Sequence, residues 1–386
     1  MLRGFALLGI LLVNVELMRG PGLYPTIAGL PGELPTGLDR VVDVAVGWLA
    51  SGTFLSSFAM LFGLGAAVVA GRVRARGGDP RRVLARRYLV LGGFGLAHMV
   101  LLFPGDILFA YGLAGLVLLA FVNLPTRDVA WWGVGTVGVL ALLTAVVGAL
   151  GLMSPTAEDA AFGSGFARYV AERADVAVAA RTGDSYLDVI GVNAWEALFV
   201  QGSQLIVIPW VIALFLLGFS VGRTGLLHDL RARRPLLRRV ALVAVPLGLI
   251  LNVPLGMTGT LAVGTAGQPW DGLALVSQVV GAPVLAVGYL ATLALLCSRF
   301  GVPGPLAAVG RMALTGYLLQ SVLAALVFAG FGWYGRFGAP QALGVVVGIW
   351  AVLLLVCPLW LRRFRFGPVE WCWRWATYGT RPSLRR

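Results

Sequence analysis

Apolar residues run along this chain in long stretches separated by short polar or proline- and glycine-rich segments. A helix needs about 20 apolar residues to cross roughly 30 Å of hydrocarbon. Ten stretches approach that length: 2–18, 41–70, 88–103, 107–122, 129–153, 197–221, 240–262, 272–297, 306–330 and 342–361. The second is long enough to tilt or to begin as an interfacial helix. The third and fourth are separated only by Pro104, Gly105 and Asp106, which suits a tight hairpin, with a re-entrant pair as the alternative. Segment 154–193 breaks the pattern. It carries six acids and three arginines, with Phe166, Tyr169, Val170 and Arg173 at helical spacing, and reads as an amphipathic helix on the outer face. Pro209, Pro246, Pro254 and Pro283 are expected to kink their spans. The expected fold is all-α: a polytopic transmembrane helical bundle of about ten spans, one integral membrane domain over 1–386, with a tail at 362–386.

Composition sharpens this picture. Hydrophobic residues make up 59% of the 386 and charged residues 12%, too few to cover the surface of a soluble globule. The formal charge of +13 invites a nucleic-acid partner, but its distribution speaks against one. All 30 basic residues are arginine, and they cluster in 72–87, 223–239 and the tail from Arg362. The positive-inside rule makes those segments cytoplasmic. Threading ten spans from there leaves 24 arginines and 4 acids inside against 6 arginines and 13 acids outside, with both termini in the cytoplasm. The expected location is therefore a cell membrane, crossed many times, with the lipid bilayer as principal partner. The three cysteines suggest no disulfide framework.

Ionisable and amide side chains at membrane depth are costly, so each is a candidate for function. His98 stands out because imidazole exchanges a proton near neutrality; the bland alternative is a packing histidine. Asp106 precedes an apolar helix as an N-cap does, which leaves it free to orient His98 across the hairpin. Asn14 and Glu16 lie near the outer end of the first span. Gln201 and Gln204 lie in the sixth, Asn252 in the seventh, and Arg311, Tyr317 and Gln320 in the ninth. Asn14 serves equally well as helix–helix glue, and Arg311 as an interfacial anchor. No phosphate-cradling P-loop, Cys/His cluster or nucleophile elbow is present, so neither a metal nor a permanently bound cofactor is expected.

Several runs carry a family pattern. Leu2 through Asn14 resembles the opening of the YeiB-like family of bacterial integral membrane proteins, as does Leu61-Phe62-Gly63-Leu64-Gly65 before a basic loop. Gly95-Leu96-Ala97-His98, continuing to Gly105-Asp106-Ile107-Leu108 and Tyr111-Gly112-Leu113, resembles its histidine hairpin. The closest likenesses are Val309 through Gln320 and Gly367-Pro368-Val369-Glu370-Trp371 with Trp373-Arg374. This family in turn resembles the transmembrane acyltransferases, including the lysosomal heparan-glucosaminide acetyltransferase, which shares an Arg-Gly start and an asparagine matched by Asn14. That enzyme's catalytic histidine has no counterpart here, where the region holds Tyr24.

The wider resemblance implies an acyltransferase that takes an acyl group from cytoplasmic acyl-CoA and passes it to a hydroxyl or amine of an outward-facing glycan, lipid or metabolite. On that expectation His98, Asn14 and Asp106 are catalytic, Arg3, Arg311 and Gln320 hold the donor, and Glu16, Tyr111 and Gln204 face the acceptor. A homodimer fits this reading. The rival is a transporter or flippase with no chemistry.

Overall fold

The computed structural model describes residues 1–28, 35–150, 157–226, 229–260 and 270–386. It is an all-α membrane protein: seventeen helices and no strand among the described residues, with one antiparallel bridge between Phe364 and Arg385. In chain order the helices are α1 (Leu2–Met18), α2 (Leu23–Ile27), α3 (Gly37–Leu49), α4 (Thr53–Arg74), α5 (Pro80–Leu101) and α6 (Leu108–Leu118). Then come α7 (Thr126–Ala149), α8 (Ala157–Thr182), α9 (Tyr186–Arg223), α10 (Arg234–Leu251), α11 (Val253–Thr258) and α12 (Asp271–Val276). The chain ends with α13 (Ala282–Phe300), α14 (Gly304–Arg311), α15 (Ala313–Ala325), α16 (Ala339–Arg363) and α17 (Pro368–Tyr378).

Among the described residues six segments are long and apolar enough to cross a membrane, and α9, whose halves Tyr186–Gly202 and Val207–Arg223 meet at 69°, makes a seventh if the bent pair is one span. Each of the ten expected stretches falls on helix, but α1 with 17 residues, α5 with its basic first turns and α6 with 11 residues fall short of the same criterion.

Several expected spans depart from the expected single helix in bounds or continuity, each for a local reason. The second is divided at Gly52, whose φ of 68° is a left-handed conformation that suits glycine. The third begins earlier than expected: Asp79 accepts the Arg81 amide at 2.9 Å and Pro80 occupies the first turn, so α5 carries Arg81 to Arg87 on a helix. The seventh breaks at Asn252, with Pro254 starting α11. The ninth breaks at Met312, between α14 and α15, and ends in a π turn over Leu326–Gly330. A second π turn, Ser277–Gly281, immediately precedes Pro283.

Glycines set the closest helix crossings. A side chain at Gly63 or Gly218 would run into the backbone of Phe215 or Met60, where α4 meets α9. At the crossing of α1 with α14, a Cβ on Gly4 would stand 2.9 Å from the Gly310 nitrogen, and one on Gly310 as close to the Gly4 nitrogen. Small residues let backbones approach in this way where lipid gives no hydrophobic drive to associate. Aromatic side chains of α4, α6 and α9 fill the centre, with Tyr111 wholly buried among Phe58, Phe62 and Phe215.

Polar contacts sort the connections into two ends. At one, Arg74 donates to the Val122 carbonyl at 2.6 Å, Arg223 to that of Leu124, Arg234 to Ser298, and Arg311 to the Arg365 carbonyl. At the other, Asp39 accepts from the Ala339 amide, Asp43 from that of Thr260, and Arg19 donates to the Phe337 carbonyl. α8 lies at this second end, packed on α2 and the start of α9 through Val170, Ala177 and Ala180.

Candidate functional site: a histidine between two cavities

The α5–α6 hairpin builds the centre of the site. A Cβ at Gly95 would overlap the Phe109 amide and approach Asp106, so a glycine there lets the start of α6 lie against α5. Asp106 then does two things at once. Its Oδ2 accepts the Phe109 amide at 2.8 Å, capping the first turn of α6, and its Oδ1 stands 2.8 Å from His98 Nδ1. Both side chains are almost wholly buried. With Nδ1–H given to the carboxylate, the lone pair lies on Nε2, the nitrogen that has no hydrogen-bond partner among the described residues. Gln201 steadies the loop from α9 by donating to the Asp106 carbonyl at 3.4 Å.

Tyr317 of α15 joins this pair to α1. Its ring centroid is 5.1 Å from that of His98, its hydroxyl accepts the Ile107 amide at 3.4 Å, and Asn14 of α1 stands near the same hydroxyl. His98, Asp106, Asn14 and Tyr317 are thus one connected polar cluster, drawn from α1, α5, α15 and the hairpin.

Tyr317 also lines a cavity of about 70 Å³ that extends toward the arginine-rich end, with Arg3, Arg87, Arg311, Tyr88 and Glu370 in its wall. Arg3 is exposed and lines this space; Gly65 leaves room for its guanidinium, and the Leu61 carbonyl accepts from it at 3.4 Å. Arg87 lies 4.0 Å over the Trp373 ring, whose indole N–H donates to the Arg87 carbonyl at 2.9 Å. Among the described residues, none of the three arginines is within ion-pair distance of a carboxylate. Three guanidinium groups sharing one space with a single carboxylate, Glu370, suit an anionic ligand, and their planar forks suit phosphate. His98 is eleven residues beyond Arg87 on α5, about 16 Å along the axis at 1.5 Å per residue.

A smaller cavity of about 50 Å³ lies at the other end, lined by Met18, Phe103, Pro104, Ser321, Arg181 and Tyr334 among others. Phe103 packs edge-on to His98 at 6.2 Å. Arg181 is held by both Glu196 oxygens at 2.7 and 2.8 Å and by Asn193 at 2.8 Å, and Tyr24 donates to Glu196 at 2.7 Å. Asn193 in turn donates to the Val100 carbonyl at the end of α5. Burial pushes the Tyr334 hydroxyl up to about 12, so it stays protonated beside the Arg181 charge.

The expected site residues therefore separate. His98, Asp106 and Asn14 come together, and Arg3 and Arg311 share a cavity that Tyr317 connects to them. Gln320 is buried elsewhere, donating to the Leu7 carbonyl at 3.2 Å, and ties α15 to α1. Tyr111 donates to the Leu55 carbonyl at 2.9 Å within the aromatic core. Glu16 pairs with Arg19 at 2.7 Å at the end of α1. The side chain of Gln204 lies outside the described residues. Arg87, Trp373 and the Arg181–Glu196 network were not foreseen: the first sits in a run of arginines that reads as a topology signal, and the network joins residues up to 172 positions apart.

Comparison with known proteins agrees with the motifs that build this site. The family described as a protein of unknown function (DUF418) matches residues 221–380, which include both Val309–Gln320 and Gly367–Trp371. The uncharacterized protein YeiB of Escherichia coli strain K12 is 30% identical over 97% of this chain and 94% of its own length. The uncharacterized protein YxaH of Bacillus subtilis strain 168 is 28% identical over 98% of this chain and 92% of its own. A 39.9 kDa protein from the amylase 3′ region of Bacillus acidopullulyticus is 26% identical over 98% and 92%. No solved structure matches the chain. Similarity along nearly the whole length, on an all-α bundle with several membrane-crossing helices, makes this chain a multi-pass membrane protein of the YeiB-like (DUF418) family.

Proposed function

We propose that this protein is an integral membrane acyltransferase that takes an acyl group from acyl-CoA at its arginine-rich, cytoplasmic face and passes it to a hydroxyl or amine of a glycan, lipid or metabolite reaching in from the other side. The observation that carries this reading is the state of His98: Nδ1 is fixed by Asp106 at 2.8 Å and Nε2 has no partner among the described residues, in a cluster that Tyr317 links to the arginine-lined cavity.

A thioester is already activated, so the protein has three tasks. Arg3, Arg87 and Arg311 hold the donor's phosphates, and the pantetheine arm runs past Tyr317 to bring the carbonyl to His98. Nε2 takes the proton of the acceptor as its oxygen or nitrogen bonds to the carbonyl carbon. The tetrahedral oxyanion is met by the Asn14 amide or the Tyr317 hydroxyl, donors of a kind typically worth about 3 to 4 kcal/mol. The carbon–sulfur bond then breaks, and the proton passes from Nε2 to the departing thiolate, leaving an acylated acceptor and free CoA. Asp106 holds the imidazole in one tautomer and stabilises its charged form throughout, as a carboxylate does in hydrolytic triads. The cavity beside Phe103 and Pro104, with Arg181, Ser321 and Tyr334 in its wall, admits the acceptor.

Equilibrium binding of acetyl-CoA and longer acyl-CoAs to the purified protein tests the donor half. Binding that weakens with added salt, and weakens further in Arg3→Ala and Arg87→Ala, is the expected outcome. No binding of any acyl-CoA would favour transport of another substrate.

A further inference from the structure

The tail helix α17 returns to the bundle and inserts Glu370 at the break between α14 and α15. One carboxylate oxygen accepts the amides of Leu314 at 2.6 Å and Thr315 at 3.0 Å; the other accepts the Thr315 hydroxyl at 2.5 Å. That hydroxyl accepts the Val369 amide at 3.1 Å, closing a ring of bonds between the two helices. α15 has no cap of its own, since its preceding residue is Met312 and supplies no side-chain bond. The first amides of a helix lack partners inside it, so Glu370 satisfies, from 55 residues away, donors that a serine or aspartate at the cap would otherwise meet. Burial pushes this carboxyl up from its ordinary range while the Thr315 hydroxyl and the amides act against that shift.

What this first turn carries decides its importance. Arg311 stands just before the break, and Tyr317, whose ring lies against His98, stands just inside α15. We infer that Glu370 is a positioning residue: it caps α15 in trans, and so sets Tyr317 against His98, making the cytoplasmic tail part of the working site. The inference about turnover rests on the acyltransferase reading; the inference about capping does not.

Hydrogen exchange on the purified full chain, with Glu370→Ala and Glu370→Gln, separates the two. In Glu370→Ala the amides of Leu314 and Thr315 are expected to exchange about tenfold faster, the factor expected of a lost cap, with α16 unchanged. Glu370→Gln keeps one acceptor oxygen and is expected to restore part of that protection, which a variant lost only to misfolding would not do. Unchanged exchange at Leu314 and Thr315 in a folded variant would overturn the proposal. In transfer assays the variants are expected to lose kcat while KM for acyl-CoA changes less than twofold. Loss confined to KM would overturn the positioning role. If the wild-type protein turns over no acyl-CoA but the exchange effect is present, the enzymatic reading fails and the cap stands.

Discussion

His98 and Asp106 make opposite demands on the low-dielectric interior. A buried imidazole with one free nitrogen is costly, and a buried carboxylate more so, yet together each satisfies the other and Asp106 caps a helix besides. This double use sets the expected mutational pattern. Asp106→Asn keeps an acceptor for the Phe109 amide but pairs wrongly with Nδ1, so turnover is expected to fall by more than 10²-fold, about the range for loss of acid–base assistance, with melting temperature little changed. Asp106→Ala removes both bonds and is expected to cost about 1 to 3 kcal/mol of stability as well. Calorimetry or a dye-based melt on the purified variants checks the difference. The rarity of histidine and the Gly-Asp cap made both residues legible in the sequence. Tyr317 was legible as a polar residue of the ninth span, but its place against His98 was not, because that depends on a helix break at Met312 that periodicity does not mark.

At the scale of elements, the Arg-Gly opening and the Val-Gly-Arg run prove to be two sides of one crossing. Gly4 and Gly310 let α1 and α14 touch, and the arginines beside them, Arg3 and Arg311, consequently enter one cavity. Gly310→Val is therefore expected to cost about 1 to 3 kcal/mol by overpacking and to weaken acyl-CoA binding although no ligand contact is removed, measurable by melting and titration on the same sample. The outer network behaves differently. Removing Arg181 strands the Glu196 carboxylate in a buried site, so Arg181→Ala is expected to cost about 3 to 5 kcal/mol, and Arg181→Ala with Glu196→Ala together less than the sum, which a double-mutant cycle on melting free energies reads directly. The sequence announced α8 as amphipathic through Phe166, Tyr169 and Val170. Its partner Glu196, isolated at the start of an apolar span, gave no hint of where its charge was compensated.

For the whole molecule, the end rich in arginine holds the cavity suited to an anion, and the opposite end holds the cavity beside the hairpin. Long apolar runs made the all-α bundle legible, whereas crossing by α1, α5 and α6 is a matter of depth that helix length alone does not decide. Single cysteines at Arg76 and Asp184, placed in a cysteine-free background, are expected to label with an impermeant reagent in intact cells at Asp184 only; the reverse pattern would invert the orientation. The most direct test of the central claim is release of CoA from an acyl-CoA series by membrane vesicles carrying the wild-type protein or His98→Ala. The account predicts wild-type release that falls by about 10² to 10⁴-fold in His98→Ala, the usual contribution of a general base, with acyl-CoA binding retained. Equal rates in the two proteins would contradict it.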